Sequence, residues 1–348
     1  MTVAYIPSIR RSASSEAVGD KLGFLRNLRG TWTGEGFNLV ARPDRQGESP
    51  LFLELNQTFE TLNFIPISSS IPNRGNVVDD IELFGLTYQQ KITDLVTGGA
   101  LHIEEGMWVH VPTQDVDATQ SVFRLGTVPH GNSLLAQGSA ISLDPFTGNP
   151  FNPDAITPSN TSPFAVGATI PLPGTLSGFA PYDLSNFTPA AVNFRTPAGD
   201  IPARPLPTTI LGVPMQDMVL DPVKLLTAAL SDQVIEHMVV INIATVPSLL
   251  QEQPEGQPPK DILAGLNTGG NILNIPFLQS NAAAETMFAT FWIEKIQGPT
   301  EDTGFLQLQY VQTVFLNFPV LTGTGAPGAS LSWPHVSVAT LHKTFGGE

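Results

Sequence analysis

The chain has 348 residues and a formal charge of −15, from 16 Lys and Arg against 31 Asp and Glu. That balance repels phosphate backbones and anionic lipid heads, so no nucleic-acid partner is expected. With no cysteine, disulfides, thiolate nucleophiles and thiolate-held metal or haem centres are excluded together.

Glycine and proline stand at 31 each while 14% of residues are charged, a texture of turns and extended segments rather than long surface helices. The opening MTVAYIPSIRRSASSE lacks a signal-peptide core, and no run of about 18 apolar residues is present to span a bilayer. A soluble, cytoplasmic protein without a membrane span is the expectation.

Residues 1–19 read as a polar arm. Asp20 to Arg29 (DKLGFLRNLR) carries Leu22, Leu25 and Leu28 at helical spacing before Gly30, which predicts one short helix. Strands are predicted over Trp32 to Arg42, Leu51 to Pro66, Ile81 to Thr93, Ala100 to Val111, Gln120 to Val128 and Ser133 to Leu143. These form the first part of a sheet, 20–143. From Asp144 to about Asp221 proline recurs every few residues and cannot feed a ladder. Because this stretch is rich in Phe, Leu and Ile, it is expected to pack as an irregular flap. With a helix at Pro222 to Gln233 it makes up an insertion, 144–235. The second part, 236–348, holds strands at Glu236 to Val246, Met287 to Gln297, Phe305 to Phe318 and Trp333 to Lys343. In the third of these, Leu306, Leu308 and Tyr310 alternate with Gln307, Gln309 and Gln312, with a shift expected near Val311. The fold class is all-β: a closed antiparallel barrel of about ten strands, with short helices and a long Pro-rich insertion. A β-sandwich is the architectural competitor.

Histidines stand at 102, 110, 130, 237, 335 and 342. No pair has the spacing that puts two zinc ligands on one helical face. His335 and His342 are seven apart and face opposite sides of a strand, whereas His102 and His110 share a face about 26 Å apart at ~3.3 Å per residue. His335, in SWPHVSVATL, is the best metal-ligand candidate, because Ser337 and Ala339 on its face leave room for a flat macrocycle. The plainer alternative is an imidazole satisfied by a backbone carbonyl. In GGALHIEEGMW the buried face is ambiguous. Leu101, Ile103, Met107 and Val109 occupy one face, His102, Glu104 and Trp108 the other, and a bulge near Gly106 could bring in both. A structural ion pair is the plain reading of His102 with Glu104. There is no GxSxG elbow, and the adjacent carboxylates Asp79-Asp80 and Glu104-Glu105 diverge on strands, so no catalytic residue is named.

Three segments resemble the nitrobindin-like haem proteins, calycin-type barrels related to fatty-acid-binding proteins and lipocalins. LRGTWTGEG (Leu28 to Gly36) is similar to that family's opening motif. LTYQQKITDLVTGGALHIEEGMW (Leu86 to Trp108) is similar to its Tyr-x-Gln-Lys strand and Gly-x-x-x-His-x-Glu-x-Gly hairpin. PHVSVATLHK (Pro334 to Lys343) looks like its closing strand. They occur in the family's order and cover about a fifth of the chain. The resemblance implies haem b, its iron bound by His335, with Leu101 and His102 near the other haem face and Trp32 and Thr31 in the opening motif. The chain is about twice the family's usual length, with the excess in Asp144 to Asp221 and Pro247 to Asn281. Trp333 and His342 are further departures.

Two functions follow. One is a haem barrel that binds nitric oxide or a related small ligand and carries peroxynitrite isomerase-like or weak peroxidase-like activity, the second having no identifiable distal His and Arg pair. The other is a lipocalin-like carrier or cyclase-type barrel holding an apolar small molecule without metal. A homodimer is compatible with either.

Overall fold

The computed structural model describes residues 15–43, 51–73, 80–112, 119–129, 133–143, 161–166, 207–245, 286–298, 300, 303–321 and 327–344. Most of the proline-rich stretch and His130 lie outside them. The chain enters through α1 (Ser15–Lys21) and a 3-10 helix, Gly23–Leu28. The leucines at 22, 25 and 28 are the reason for the second helix type: a spacing of three matches a 3.0-residue turn, so all three stack on one buried face. Gly23, at φ +56°, opens the second helix with a change of backbone direction after Lys21, which corrects the expectation of one helix over 20–29.

The strands in chain order are β1 (Gly30–Pro43), β2 (Leu51–Pro66), β3 (Ile71–Asn73), β4 (Ile81–Asp94), β5 (Ala100–His110), β6 (Thr119–Thr127), β7 (Ser133–Leu143) and β8 (Phe164–Ala165). They continue with β9 (Thr209–Ile210), β10 (Val213–Pro214), β11 (Ile235–Ala244), β12 (Thr286–Ile296), β13 (Phe305–Leu321) and β14 (Pro327–Lys343). Helices α2 (Met215–Leu220) and α3 (Val223–Ala229) precede β11. Ten strands pair antiparallel in the order β1-β2-β4-β5-β6-β7-β11-β12-β13-β14, and β1 pairs β14 from Trp32 opposite Lys343 to Val40 opposite His335, which closes the sheet. Closure leaves no long edge to template aggregation, and it decides against a sandwich.

Register separates the faces. Trp32, Leu62, Leu86, Trp108, Val122, Ala136, Ile241, Phe291, Leu308 and Leu341 belong to the inner core, which the 3-10 helix caps. At that capped end Trp32 Nε1 donates to the Leu28 carbonyl at 2.7 Å, and the Phe24 amide donates to Gln120 at 2.6 Å. A second core lies outside the barrel, where Met218, Val219, Leu225 and Leu226 of α2 and α3 cover Phe37, Leu39, Val311, Val336 and Val338. Strands between the two cores are buried on both sides, and β12 is buried at nearly every position. This also explains Val311. Pairing of β13 runs through it without interruption and shifts only at Pro319/Leu321, so alternation fades there because α3 covers the outer face, not because of a bulge.

Packing between neighbouring strands is close at Gly138 on β7, where an added β-carbon would overlap the Asn242 carbonyl oxygen of β11. Gly138→Ala is expected to cost about 2 kcal/mol through a forced backbone shift, read as a lower urea midpoint with an unchanged m-value.

Candidate functional site

The lumen is crossed by a hydrogen-bonded layer. Arg124 on β6 donates from Nη2 to Glu104 Oε1 of β5 at 2.7 Å, from Nε to the Tyr88 hydroxyl of β4 at 3.0 Å, and from Nη1 to Gln312 of β13 at 2.8 Å. The Tyr88 hydroxyl donates to the same Glu104 oxygen. From the other side, the Tyr310 hydroxyl of β13 donates to Glu60 Oε2 of β2 at 2.6 Å. Gln90 of β4 joins both, at 3.2 Å from Glu60 and 3.1 Å from Tyr310. Gly34 and Gly36 on β1, with Ala339 on β14, stand between Tyr310 and Glu60, and their small size leaves the path open.

This layer is buried, and burial is costly for ions unless each is paired. The guanidinium lies 5.0, 5.5 and 5.7 Å from the ring centroids of Tyr88, Trp108 and Phe291, an aromatic cage that favours a cation. Burial alone would raise the Glu104 pKa, but Arg124, His102 and Tyr88 outweigh it and hold the group at about 2. Glu60 has no ion-pair partner among the described residues and feels only His102 at longer range. Burial pushes it up to about 7 against the hydrogen bonds from Tyr310, Gln90 and Thr58.

Away from the capped end, His335 lies on the inner face of β14, half-buried, with Nε2 3.2 Å from the Ala41 carbonyl oxygen. A carbonyl only accepts, so Nε2 carries the proton and the imidazole lone pair is on Nδ1. Beside it on the inner face, Ser337 donates to Asn38 Oδ1 at 3.1 Å, and buried Asn56 bonds Glu54 through Nδ2 at 3.1 Å while its Oδ1 has no partner. His102 is also inward, with Nε2 3.3 Å from Glu104 Oε2, so the two residues read from sequence as a pair are in contact, while the guanidinium of Arg124 lies closer to Glu104, at 2.7 Å. Pairing of β4 with β5 is continuous through Gly106 and shifts instead between Ile92 and Thr93, where His102 and Ala100 are matched and Leu101 is the extra residue. The even-numbered residues of β5 therefore face the lumen, while Ile103 and Met107 are 38% and 37% exposed.

His335 and His102 thus both lie on the inner face, on β14 and β5. Trp32 and Thr31 are not brought to them. Trp32 sits at the capped end, eight residues along β1 from Val40, or roughly 26 Å, and Thr31 bonds Asn63 at 3.1 Å. His342 faces outward, as the seven-residue spacing required. Arg124, Glu60, Tyr88, Gln90 and Tyr310 were not singled out from sequence, although a lone arginine in the apolar strand SVFRLG was the available signal. Among the described residues no three or more His, Asp or Glu side chains group as a metal cage. An imidazole with one nitrogen on a backbone carbonyl is nevertheless a common setting for a metal-ligating histidine, so His335 would be the residue to hold haem, which would supply the redox and small-ligand chemistry.

No family model matches the chain, and no curated protein does. Among solved structures it is similar to the crystal structure of Rv2717c from M. tuberculosis, at 11% identity and a TM-score of 0.32, over 93% of this chain and 97% of that one. No described helix is long and apolar enough to cross a membrane.

Proposed function

We propose that the barrel receives one apolar ligand at the end bearing His335, and that this ligand is haem b held by the His335 imidazole. What supports the reading is the inward, half-buried placement of His335, with its ring held by the Ala41 carbonyl. Ser337 and Asn38 flank it, and the layer from Arg124 to Glu60 blocks deeper entry. Haem, when bound, supplies reversible coordination of nitric oxide or a related small ligand and the chemistry by which peroxynitrite could be isomerised. The chain's own part is to bind, to orient through one imidazole and to exclude water.

The test is a visible spectrum of the whole protein after haem addition. A Soret band that titrates to saturation is expected, and His335→Ala should weaken binding at least about tenfold, the size of loss seen when even outer partners of a metal ligand are removed. A protein that stays colourless overturns the haem reading.

A metal-free carrier is favoured by one feature, the buried Asn56 Oδ1. This acceptor suits a ligand with a hydroxyl or N–H group, which a porphyrin periphery does not offer. Mass spectrometry that finds such a molecule in purified, colourless protein supports this second reading.

A further inference from the structure

We propose that the groove between α3 and the outer faces of β1, β2 and β14 is a second binding site, for an uncharged amphiphile. It encloses about 400 Å³, and Leu225, Leu226, Val338, Phe59, Ile210 and Leu211 supply its apolar surface. That volume falls in the range of small-molecule sites, which combine apolar walls with a few convergent polar groups. Here the polar groups gather at one end. Gln307 and Gln233 exchange amide hydrogen bonds at 3.0 and 3.3 Å, and His342 Nε2 lies 3.0 Å from Gln307 Oε1, an arrangement that leaves His342 Nδ1 as an acceptor.

Charge selects the ligand class. Among the described residues no Lys or Arg lines the groove while Glu35 does, and partial burial disfavours the charged form of His342. A carboxylate or phosphate would enter without a cation and opposite Glu35, in a chain of formal charge −15. Gln307 is fully used, its second N–H donating to Glu294 at 2.9 Å, so a ligand hydroxyl or amide N–H can donate to His342 Nδ1 and a ligand carbonyl can accept the second N–H of Gln233 without that cost.

A separate feature at the rim points the same way. Leu211, at φ 49°, and Gly212, at φ 77°, form the tip of the β9–β10 hairpin, and Leu211 is 65% exposed. A turn with both central residues at positive φ takes Asn or Gly readily, whereas leucine strains it and exposes apolar surface. Strain and exposure both lose their disadvantage if the side chain closes over a ligand.

The experiment titrates Nile red, a neutral fluorescent amphiphile, into the full chain. Saturable binding is expected, with affinity reduced about tenfold or more in Ala229→Trp, which fills the groove, and about threefold or more in Leu211→Asn. The asparagine variant should also melt at a higher temperature, because Asn accepts the left-handed turn; a merely structural Leu211 would leave dye affinity unchanged. His335→Ala should bind the dye as the parent does, which separates this site from the lumen. The anionic cis-parinaric acid should bind at least about tenfold more weakly than Nile red. Dye affinity untouched by both groove variants, dye binding lost in His335→Ala, or equal affinity for the anion would each overturn the proposal.

Discussion

Arg124→Met will lower the unfolding free energy by about 3–5 kcal/mol, the range for breaking a buried ion pair by removing one partner. Glu104 would remain 2% exposed without its guanidinium, keeping the His102 contact at 3.3 Å, Gln312 would lose its donor, and the cage of Tyr88, Trp108 and Phe291 would enclose a neutral chain. Methionine fills similar volume, so the effect reports charge more than packing. Adding Glu104→Gln should recover most of the loss, since a neutral pair of like shape avoids the stranded carboxylate. Urea unfolding of the parent, both single variants and the double variant measures the coupling. A single-variant loss below about 1 kcal/mol would show that the pair is worth no more than a surface ion pair.

The second large effect is in pH. Burial raises Glu60 to about 7 and Glu294 to about 8 from the ordinary 4.5, the latter against one hydrogen bond from Gln307 and with Oε1 unpartnered. Between 4.5 and those values the folded chain holds protons that the unfolded chain has released. Their stabilisation is therefore complete below pH 4.5 and is lost as pH rises through about 7 and about 8. At 1.36 kcal/mol per unit this is on the order of 3–5 kcal/mol for each group. Glu104 acts in the opposite sense. Held at about 2, it contributes fully above 4.5, and its contribution disappears as pH falls towards 2. Urea midpoints should consequently peak near pH 4.5 and decline to pH 9, with Glu294→Gln flattening the upper part of the decline and Glu60→Gln the middle. A parent profile level from pH 5 to 9 contradicts the burial of both carboxyls as neutral acids.

The ladder was legible because turn residues bracket each long strand, and Leu51–Pro66 and Ser133–Leu143 match their sequence limits. The missed elements are short: β3, β8, β9 and β10 span two or three residues, too few for any period to register. Facing was harder. In β4 one side meets water and alternation is clear, whereas β12 lies between two cores and its pattern cannot say which side is in. At the candidate site the shared face of His335, Ser337 and Ala339 was legible from the alternation along β14. The Arg124 layer was not, because its members lie on strands β2, β4, β5, β6 and β13, and only closure of the sheet makes Gln90 and Tyr310, 220 positions apart, partners.

Because Arg124 and Gln312 join hands across the middle, the barrel is a cup rather than a pipe. Under the proposed function a guest that enters past His335 would leave the same way, so a change that narrows this entry would slow arrival and departure together and leave affinity nearly constant. A guest held there would be taken up one at a time and would not pass through.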